Sequence, residues 1–426
     1  MIAVLFLFVV LFLILGVPIS VTMVLACVAA ILGFTGYSLE VIVHKLYFQT
    51  NTFPLLAIPL FVMAGNVMSR GGMSERLINL ARSMVGNVRG GIAMVSVVAC
   101  MLFASVSGST AATTAAIGMV LIPAMVRSGF STASAASLQS TAGSIGIIIP
   151  PSIPMILMGV IGGLSIGKLF LGGIIPGILI GLSLMLTAHL IARVQKHQPS
   201  GETFKLKEFI LVLKDSLLSL LTVVFVVGAI MKGIVTPTEA AIIAVLWSIF
   251  VCLFIYREIT IKDFAPVLVD TVKITGIVVL CIGATAPFAW LLTVEQFQVV
   301  VSETMLAITS NPIFLKLLML AIMIALGTFL DLTPAMIILI PILFPIAKHI
   351  GMDLNHFGVV MVAALAVGQS TPPVGIALFV ACSISKIKIG DVVIPMIPFL
   401  IAMLLSIILI LFVPELVVWI PNTFMK

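Results

Sequence analysis

Charged residues are scarce in this sequence. Asp, Glu, Lys and Arg make up 8% of its 426 residues, whereas a soluble globular protein carries about 25%. So few charges cannot cover the surface of a folded chain of this length, which excludes a water-soluble globular protein. The formal net charge of +6 comes from basic residues scattered between apolar runs. That scatter lacks the basic stripe with interleaved aromatics of a nucleic-acid-binding protein.

The cysteines have no spacing that would make a cross-link or a metal site. There are five of them, far apart and within apolar stretches: Cys27, Cys100, Cys252, Cys281 and Cys382. The odd number and the lack of a Cys-x-x-Cys pair exclude a disulfide framework and argue against a zinc or iron–sulfur centre. We therefore predict that these thiols are inert core residues.

Apolar residues, in contrast, are abundant along the whole chain. They make up 62% of it, and the mean hydropathy is +1.36. One signal peptide or one anchor cannot explain runs spread over the full length. The sequence therefore predicts an all-α polytopic membrane protein. The predicted apolar runs are 2–15, a second run to 34 after a turn at 16–18, 53–68, 90–126, 132–163, 171–191, 217–233, 237–255, 266–291, 311–347, 357–384 and 391–413.

Two of these runs, 90–126 and 311–347, are interrupted by polar or glycine-rich segments. We interpret them as re-entrant helical hairpins, which enter and leave the membrane on one side. With both chain termini outside, the inside segments then hold 14 of the 21 Lys and Arg residues, as the positive-inside rule requires. If 90–126 simply crossed the membrane, Arg127 would lie opposite the arginine-rich segment 69–89.

The two halves of the chain share a pattern of glycine and proline. A shift of 222 residues superimposes five features: Pro123 on Pro345, Gly129 on Gly351, Gly146 on Gly368, Pro150-Pro151 on Pro372-Pro373, and Pro176 on Pro398. Glycine and proline set backbone geometry, so helix geometry is what repeats. By the topology above, the halves begin on opposite sides, which predicts two inverted-topology repeats like those of secondary transporters.

The repeats give the domain boundaries. Residues 1–192 form the first repeat, with scaffold helices in 2–68, the hairpin 90–126 and the broken helix 132–163. Residues 193–216 form an inside connector. Residues 217–426 form the second repeat, with scaffold helices in 217–291, the hairpin 311–347 and the broken helix 357–384.

The paired prolines point to a site at each helix break. Proline lacks a backbone N–H and clashes with the carbonyl four residues before it, so the breaks should free carbonyls near Gly146 and Ile147, and near Gly368 and Gln369. In hydrocarbon such groups must face protein or a wet cavity. Carbonyl oxygens are hard ligands of the kind that a sodium ion prefers. Kinked helices repacked by their neighbours are the structural alternative.

The tips of the hairpins are the second half of this candidate site. The first tip, 105–110, is rich in hydroxyls, and the second contains Asp331, the one acidic residue at either tip. A carboxylate at membrane depth is costly unless it faces a cation or caps a helix. Helix N-termini meeting at the tips would attract an anion without a buried arginine. The candidate substrate-binding residues are Ser107, Ser109, Thr110, Ser152 and Thr333.

Two other polar groups receive structural interpretations. The run Thr236-Pro-Thr-Glu239 is typical of a helix N-terminus with a capping box. Asp270 and Lys273, three residues apart on one helix, are expected to neutralise each other.

Three features of the sequence resemble a known family. They are the segment Ala104–Pro154 with its hydroxyl-rich tip and Pro-Pro break, the second Pro-Pro break, and the order of elements. They are similar to the large membrane subunit of tripartite ATP-independent periplasmic (TRAP) transporters over essentially the whole chain. The resemblance implies a bacterial inner-membrane protein, with its termini in the periplasm, that is not an enzyme. It implies sodium-driven uptake of organic acids, commonly C4-dicarboxylates or sialic acid, by an elevator movement.

The resemblance also implies partners and sodium sites. The partners are a small four-helix membrane subunit and a soluble periplasmic substrate-binding protein. The sodium sites would lie where each hairpin tip meets its broken helix. The residues there are Ser105, Ser107, Gly146 and Pro150 in the first repeat, and Gly327, Thr328, Asp331, Gly368 and Thr371 in the second.

Three other functions stay open from the sequence. A stand-alone sodium/dicarboxylate carrier would need no binding protein. A channel is compatible with inverted repeats, although the tips lack a ring of charges. An intramembrane hydrolase using Ser107 or Ser109 would need a base, and no histidine falls in the broken runs.

The predicted topology can be tested by thiol labelling. A cysteine at position 83 (Ser83→Cys), in the arginine-rich segment, should react with a membrane-impermeant maleimide only in inside-out vesicles. The matched Ser38→Cys variant should react only in right-side-out vesicles. The opposite labelling pattern would reverse the assigned orientation.

Overall fold

The computed structural model describes residues 1–86, 88–195, 205–309, 311–372 and 375–425. Pro373, Lys426 and residues 196–204 of the predicted connector lie outside the described residues. Within the described ranges the chain is all-α, as predicted, with no strand. Its helices are α1 (Ile2–Ile14), α2 (Ile19–Phe34), α3 (Glu40–Thr50), α4 (Ala57–Arg70), α5 (Met73–Val85), α6 (Gly91–Ser107), α7 (Thr110–Arg127), α8 (Thr132–Ser144), α9 (Ile153–Gly162), α10 (Ile166–Val194), α11 (Leu206–Met231), α12 (Pro237–Phe250), α13 (Phe264–Val294), α14 (Phe297–Ile308), α15 (Pro312–Phe329), α16 (Leu332–His349), α17 (Leu354–Ser370), α18 (Ile376–Ser385), α19 (Ile389–Phe412) and α20 (Glu415–Phe424).

Many of these helices can cross a membrane. In the described part of the chain, nine helical segments are long and apolar enough to do so. Together with the scarcity of charge, they make this a multi-pass membrane protein.

Several shorter helices were not predicted. They are α3, α5, α14 and α20, and α11 begins at Leu206, inside the predicted connector 193–216. These segments mix polar and apolar residues, so a search for long apolar runs passes over them. In α5, for example, Leu77, Ile78 and Ala81 are buried on one face while the arginines lie on the other.

The helix bounds repeat with the same offset of 222 residues that glycine and proline show. Helix α7 (Thr110–Arg127) corresponds end for end to α16 (Leu332–His349), and the starts of α8 and α17 correspond likewise. We call α6–α7 the first hairpin and α15–α16 the second hairpin. The pairs α8–α9 and α17–α18 are the first and second broken helices. The opposite orientation of the halves, the re-entrant hairpins and the domain boundaries stay predictions.

Of the two structural interpretations of polar groups, one is confirmed and one is wrong. The capping box is present, since Thr236 N donates to Glu239 at 2.7 Å and Glu239 N donates to Thr236 Oγ1 at 3.3 Å. Asp270, however, does not pair with Lys273. It accepts from Arg70 Nη2 at 2.7 Å, because α4 packs beside α13 and brings the guanidinium within reach.

Each hairpin contacts its own broken helix at a glycine. A Cβ built on Gly368 would lie 2.4 Å from the carbonyl carbon and 2.6 Å from the Cα of Gly327. A Cβ on Gly146 would lie 2.5 Å from Thr113 Oγ1 and 3.0 Å from the carbonyl oxygen of Ser109. Only glycine permits such an approach, so these two positions fix how closely each tip sits against its break.

We predict that Gly368→Ala destabilises the fold. The added methyl group overlaps backbone that cannot move aside as a side chain could, and overpacking of this kind costs about 1–3 kcal/mol. The measurement is the thermal unfolding midpoint of the purified protein in detergent. The matched control is Gly228→Ala in α11, where no atom lies within 4 Å of the new Cβ and a midpoint at or above that of the wild type is expected. Equal midpoints for the two variants would contradict the close-contact interpretation.

Candidate functional site

The first tip is bonded directly to the break in the first broken helix. Helix α6 ends at Gly108, whose φ of 57° is left-handed, and Ser109 caps α7. The backbone N–H of Ile153 donates to the Gly108 carbonyl at 3.4 Å, so the start of α9 contacts the turn of the hairpin. Within the tip, the hydroxyls of Ser107 and Thr113 lie 2.6 Å apart. The hydroxyl-rich sequence therefore closes the turn and docks it onto the broken helix.

The second tip is organised around Asp331. Its carboxylate oxygen Oδ1 accepts from the backbone N–H of Leu332 at 2.7 Å, which caps α16. The same oxygen accepts from Gln369 Nε2 at 2.9 Å. Asp331 thus caps a helix, as one of its two predicted roles required, and also binds the broken helix through a side chain.

Sequence reasoning missed the side chain of Gln369. It is 4% exposed, and its Oε1 has no hydrogen-bond partner among the described residues. A buried amide oxygen without a partner is costly, which points to a ligand or water there. The signal in the sequence is that Gln369 is the one glutamine of the apolar run 357–384.

The two tips and the two broken helices meet at one cavity, the tip cavity, of about 510 Å³. Four helices begin at this cavity, namely α7, α9, α16 and α18, each of which contributes residues of its first turn. Helix N-termini carry partial positive charge and unpaired N–H groups. Helix α13 forms the remaining wall, with Ile274, Ile277 and Val278. The cavity therefore offers anion-attracting backbone next to the carboxylate of Asp331.

The structure brings some of the predicted site residues together in this cavity. Ser109, Thr110, Asp331 and Thr333 line it. Ser107 lines a smaller neighbouring cavity of about 70 Å³ that it shares with Ser109.

Other predicted residues lie behind the cavity wall. The hydroxyls of Ser105, Thr328 and Thr371 donate to carbonyls of their own helices, at Leu102, Ala325 and Val367. Ser152 caps α9, accepts from Met155 N at 3.3 Å, and is 1% exposed. Gly146, Pro150, Gly327 and Gly368 are buried in the packing between tips and breaks.

The breaks leave fewer free carbonyls than the sequence predicted. The Ile147 carbonyl accepts from the hydroxyl of Ser152, and the Gly368 carbonyl accepts from Thr371 N at 3.0 Å. The reason is local: a 3-10 turn (Ile145–Ile147) and the capping hydroxyl replace part of the lost helical bonding. Each of these oxygens keeps a second lone pair for a ligand.

Unpaired side-chain oxygens concentrate around the tips and breaks. Besides Gln369, the hydroxyls of Thr110, Thr114 and Ser140 are buried without a partner in the described part of the chain. The Ser140 carbonyl accepts from Ser370 Oγ at 3.2 Å, which joins the two broken helices. Over the same residues, no group of three His, Cys, Asp or Glu side chains could hold a transition metal. Neutral oxygens with one carboxylate suit an alkali cation better.

The chain resembles known transport proteins in sequence and in fold. Residues 5–416 match the family model of the tripartite ATP-independent periplasmic transporter, DctM component. The C4-dicarboxylate TRAP transporter large permease protein DctM of Pseudomonas aeruginosa is 38% identical over 92% of each chain. The 2,3-diketo-L-gulonate TRAP transporter large permease protein YiaN of Escherichia coli is 34% identical over 95% of each chain.

One solved structure shares the fold at low sequence identity. The crystal structure of the Alcanivorax borkumensis YdaH transporter has a TM-score of 0.62 and 14% identity, covering 89% of this chain and 88% of its own. The family model covers nearly the whole length of this chain. This chain belongs to the family of DctM components of tripartite ATP-independent periplasmic transporters.

Proposed function

We propose that this protein couples the inward flow of sodium to the uptake of a small organic acid anion across the bacterial inner membrane. The observation that supports this most is the tip cavity, where four helix N-termini meet beside a single carboxylate. A periplasmic binding protein would deliver the substrate, and a small membrane subunit would complete the tripartite transporter.

The cavity suits a small organic anion. Its volume of about 510 Å³ falls within the range of about 300–1,000 Å³ of small-molecule sites. Among the described residues, no Lys or Arg lines it, so the attraction for an anion would come from the helix N-termini. Relatives are named for C4-dicarboxylate and 2,3-diketo-L-gulonate transport, which supports a carboxylate substrate of the C4-dicarboxylate or sialic acid class.

Asp331 supplies the reason for a coupling cation. Its side chain is exposed and lines the cavity, so its negative charge would repel an organic anion at close range. A sodium ion beside Asp331 and the unpaired oxygen of Gln369 would cancel that repulsion and order the second tip. A second ion would use the hydroxyls and carbonyls between the first tip and Gly146. These oxygen ligands carry the proposed linkage between ion and substrate.

The mechanism would be a movement of the whole site. The hairpins and broken helices are bonded to one another through Ile153, Asp331, Gln369 and Ser370, whereas α13 lines the tip cavity with aliphatic side chains. An elevator movement along α13 would therefore keep the site intact. Each net positive charge moved down a potential of 100 mV contributes about 2.3 kcal/mol, roughly fortyfold in concentration ratio.

The family description favours this function over its rivals. A tripartite transporter component works with other components, which separates it from a stand-alone carrier, and relatives named permeases favour transport over hydrolysis. Saturable uptake without single-channel conductance would separate it from a channel.

We expect Asp331→Asn to weaken sodium coupling. In proteoliposomes with the partner subunit and binding protein, the sodium concentration for half-maximal uptake should rise about tenfold or more, because the site loses its one charged ligand. Wild-type uptake should stop when sodium is replaced by choline. The matched control is Asp270→Asn, whose carboxylate pairs with Arg70 in an exposed ion pair and should leave the sodium dependence unchanged. Sodium-independent accumulation by the wild type would refute the coupling.

A further inference from the structure

A second cavity, of about 400 Å³, lies between helices α3 and α13 on one side and α9 and α16 on the other. We call it the Lys45 cavity. Its polar lining residues all belong to α3 and α13: Lys45, Gln49, Thr285, Trp290 and Thr293. Helices α9 and α16 contribute only Val160, Ile161 and Ile337. The cavity thus has one polar and one apolar wall.

The tip cavity has the reverse arrangement. All of its polar side chains belong to the hairpins and broken helices, whereas α13 contributes three aliphatic ones. Each cavity therefore has its polar side chains on one wall only. In the tip cavity that wall is formed by the hairpins and broken helices, and in the Lys45 cavity it is formed by α3 and α13.

On each of three helices, α9, α13 and α16, the residues that line the Lys45 cavity lie nearer the C-terminal end than those that line the tip cavity. On α13, Ile277 lines the tip cavity and Ala289 lines the Lys45 cavity. They are 12 residues apart, or about 18 Å at the helical rise. On α16 the corresponding residues are Thr333 and Ile337, and on α9 they are Ile153 and Val160. Sliding α9 and α16 toward the C-terminal end of α13 would bring the tips opposite the polar residues of the Lys45 cavity.

The polar wall of the Lys45 cavity carries one cationic hydrogen-bond donor, whereas its two threonine hydroxyls donate to carbonyls of α13 itself, at Ile282 and Ala289. Lys45 is exposed and has no carboxylate within ion-pair distance among the described residues. The indole ring of Trp290 is held by an edge contact with Tyr37, with ring centroids 5.2 Å apart. No acidic residue lines the cavity in the described ranges. An ammonium group without a carboxylate beside it suits an organic anion.

We propose that Lys45, Gln49 and Trp290 form the second wall of the substrate site when the hairpins and broken helices occupy the other end of their path. There the organic anion would lie between the helix N-termini at the tips and the ammonium group of Lys45. This inference rests on the proposed function, and it assigns a substrate contact to α3 and α13.

The first experiment asks whether the tips reach this wall. In proteoliposomes, a cysteine pair at positions 289 and 333 (Ala289→Cys with Thr333→Cys) should form a disulfide on mild oxidation. The pair Val278→Cys with Thr333→Cys reports the arrangement described above, in which both positions line the tip cavity. If only the second pair cross-links while sodium-driven uptake proceeds, the inference is overturned and the proposed function stands.

The second experiment measures anion binding to the cross-linked 289–333 protein in sodium. The probe is whichever of radiolabelled succinate and sialic acid the wild type takes up. Lys45→Gln should raise the dissociation constant about tenfold, the value of a charge-assisted hydrogen bond, and Lys45→Arg should restore most of the affinity. The matched control is Lys168→Gln, at the start of α10 and outside both cavity linings, which should bind as the parent does.

The remaining outcomes distinguish a failure of the role of Lys45 from a failure of the proposed function. Equal affinity of the Lys45→Gln and Lys168→Gln proteins would refute the role of Lys45. If Lys45→Gln instead changed only the response of uptake to phosphatidylglycerol content, the cavity would be a site for lipid headgroups and the inference would fail. If the wild type accumulated the probe equally well without sodium, the proposed function itself would fail.

Discussion

Every feature of the site depends on one constraint: a helix interrupted inside hydrocarbon must find partners for the backbone groups that the interruption exposes. In this protein the partners are groups of the adjacent hairpin and the hydroxyls that cap the helices. The Gly108 carbonyl accepts from the backbone N–H of Ile153, and the Ser152 hydroxyl donates to the Ile147 carbonyl. The carboxylate of Asp331 accepts from the backbone N–H of Leu332 and from the side-chain amide of Gln369. The tips and breaks therefore stabilise one another.

Glycine makes this mutual support geometrically possible. A Cβ at Gly368 would overlap the backbone of Gly327, and a Cβ at Gly146 would overlap the side chain of Thr113. The proximity also explains why the helix starts cluster around one cavity. Four helix N-termini, with their partial positive charge, and the carboxylate of Asp331 therefore face one common space.

The sequence predicted the helix breaks at an adjacent proline pair and at glycine turns, whereas single prolines such as Pro123 and Pro176 lie inside continuous helices. Pro18, the pair Pro150-Pro151 and the turn at Gly108 mark interruptions wherever the rest of the chain lies. Prediction failed where the answer depended on a partner from a distant segment. Asp270 pairs with Arg70 on another helix, whereas the spacing of residues within α13 pointed to Lys273.

The same limit applies inside the site. Asp331 was predicted because a carboxylate stands out in an apolar run, but its amide partner Gln369 is set by how α16 packs against α17. The hydroxyls of Ser105, Thr328 and Thr371 were expected at the site, yet each bonds to its own helix. Whether a membrane hydroxyl turns inward or back onto its helix depends on the space beside it, which composition does not reveal.

The aliphatic strip of α13 has a consequence for how such a protein can diversify. Ile274, Ile277 and Val278 limit the room in the tip cavity without joining any of the polar bonds that hold the tips in place. Exchanging these three for larger or smaller aliphatics would reshape the chamber while the apparatus beside Asp331 stays as it is. The set of molecules that fit the cavity can thus change through one helix face, while the bonds that hold Asp331 stay unaltered.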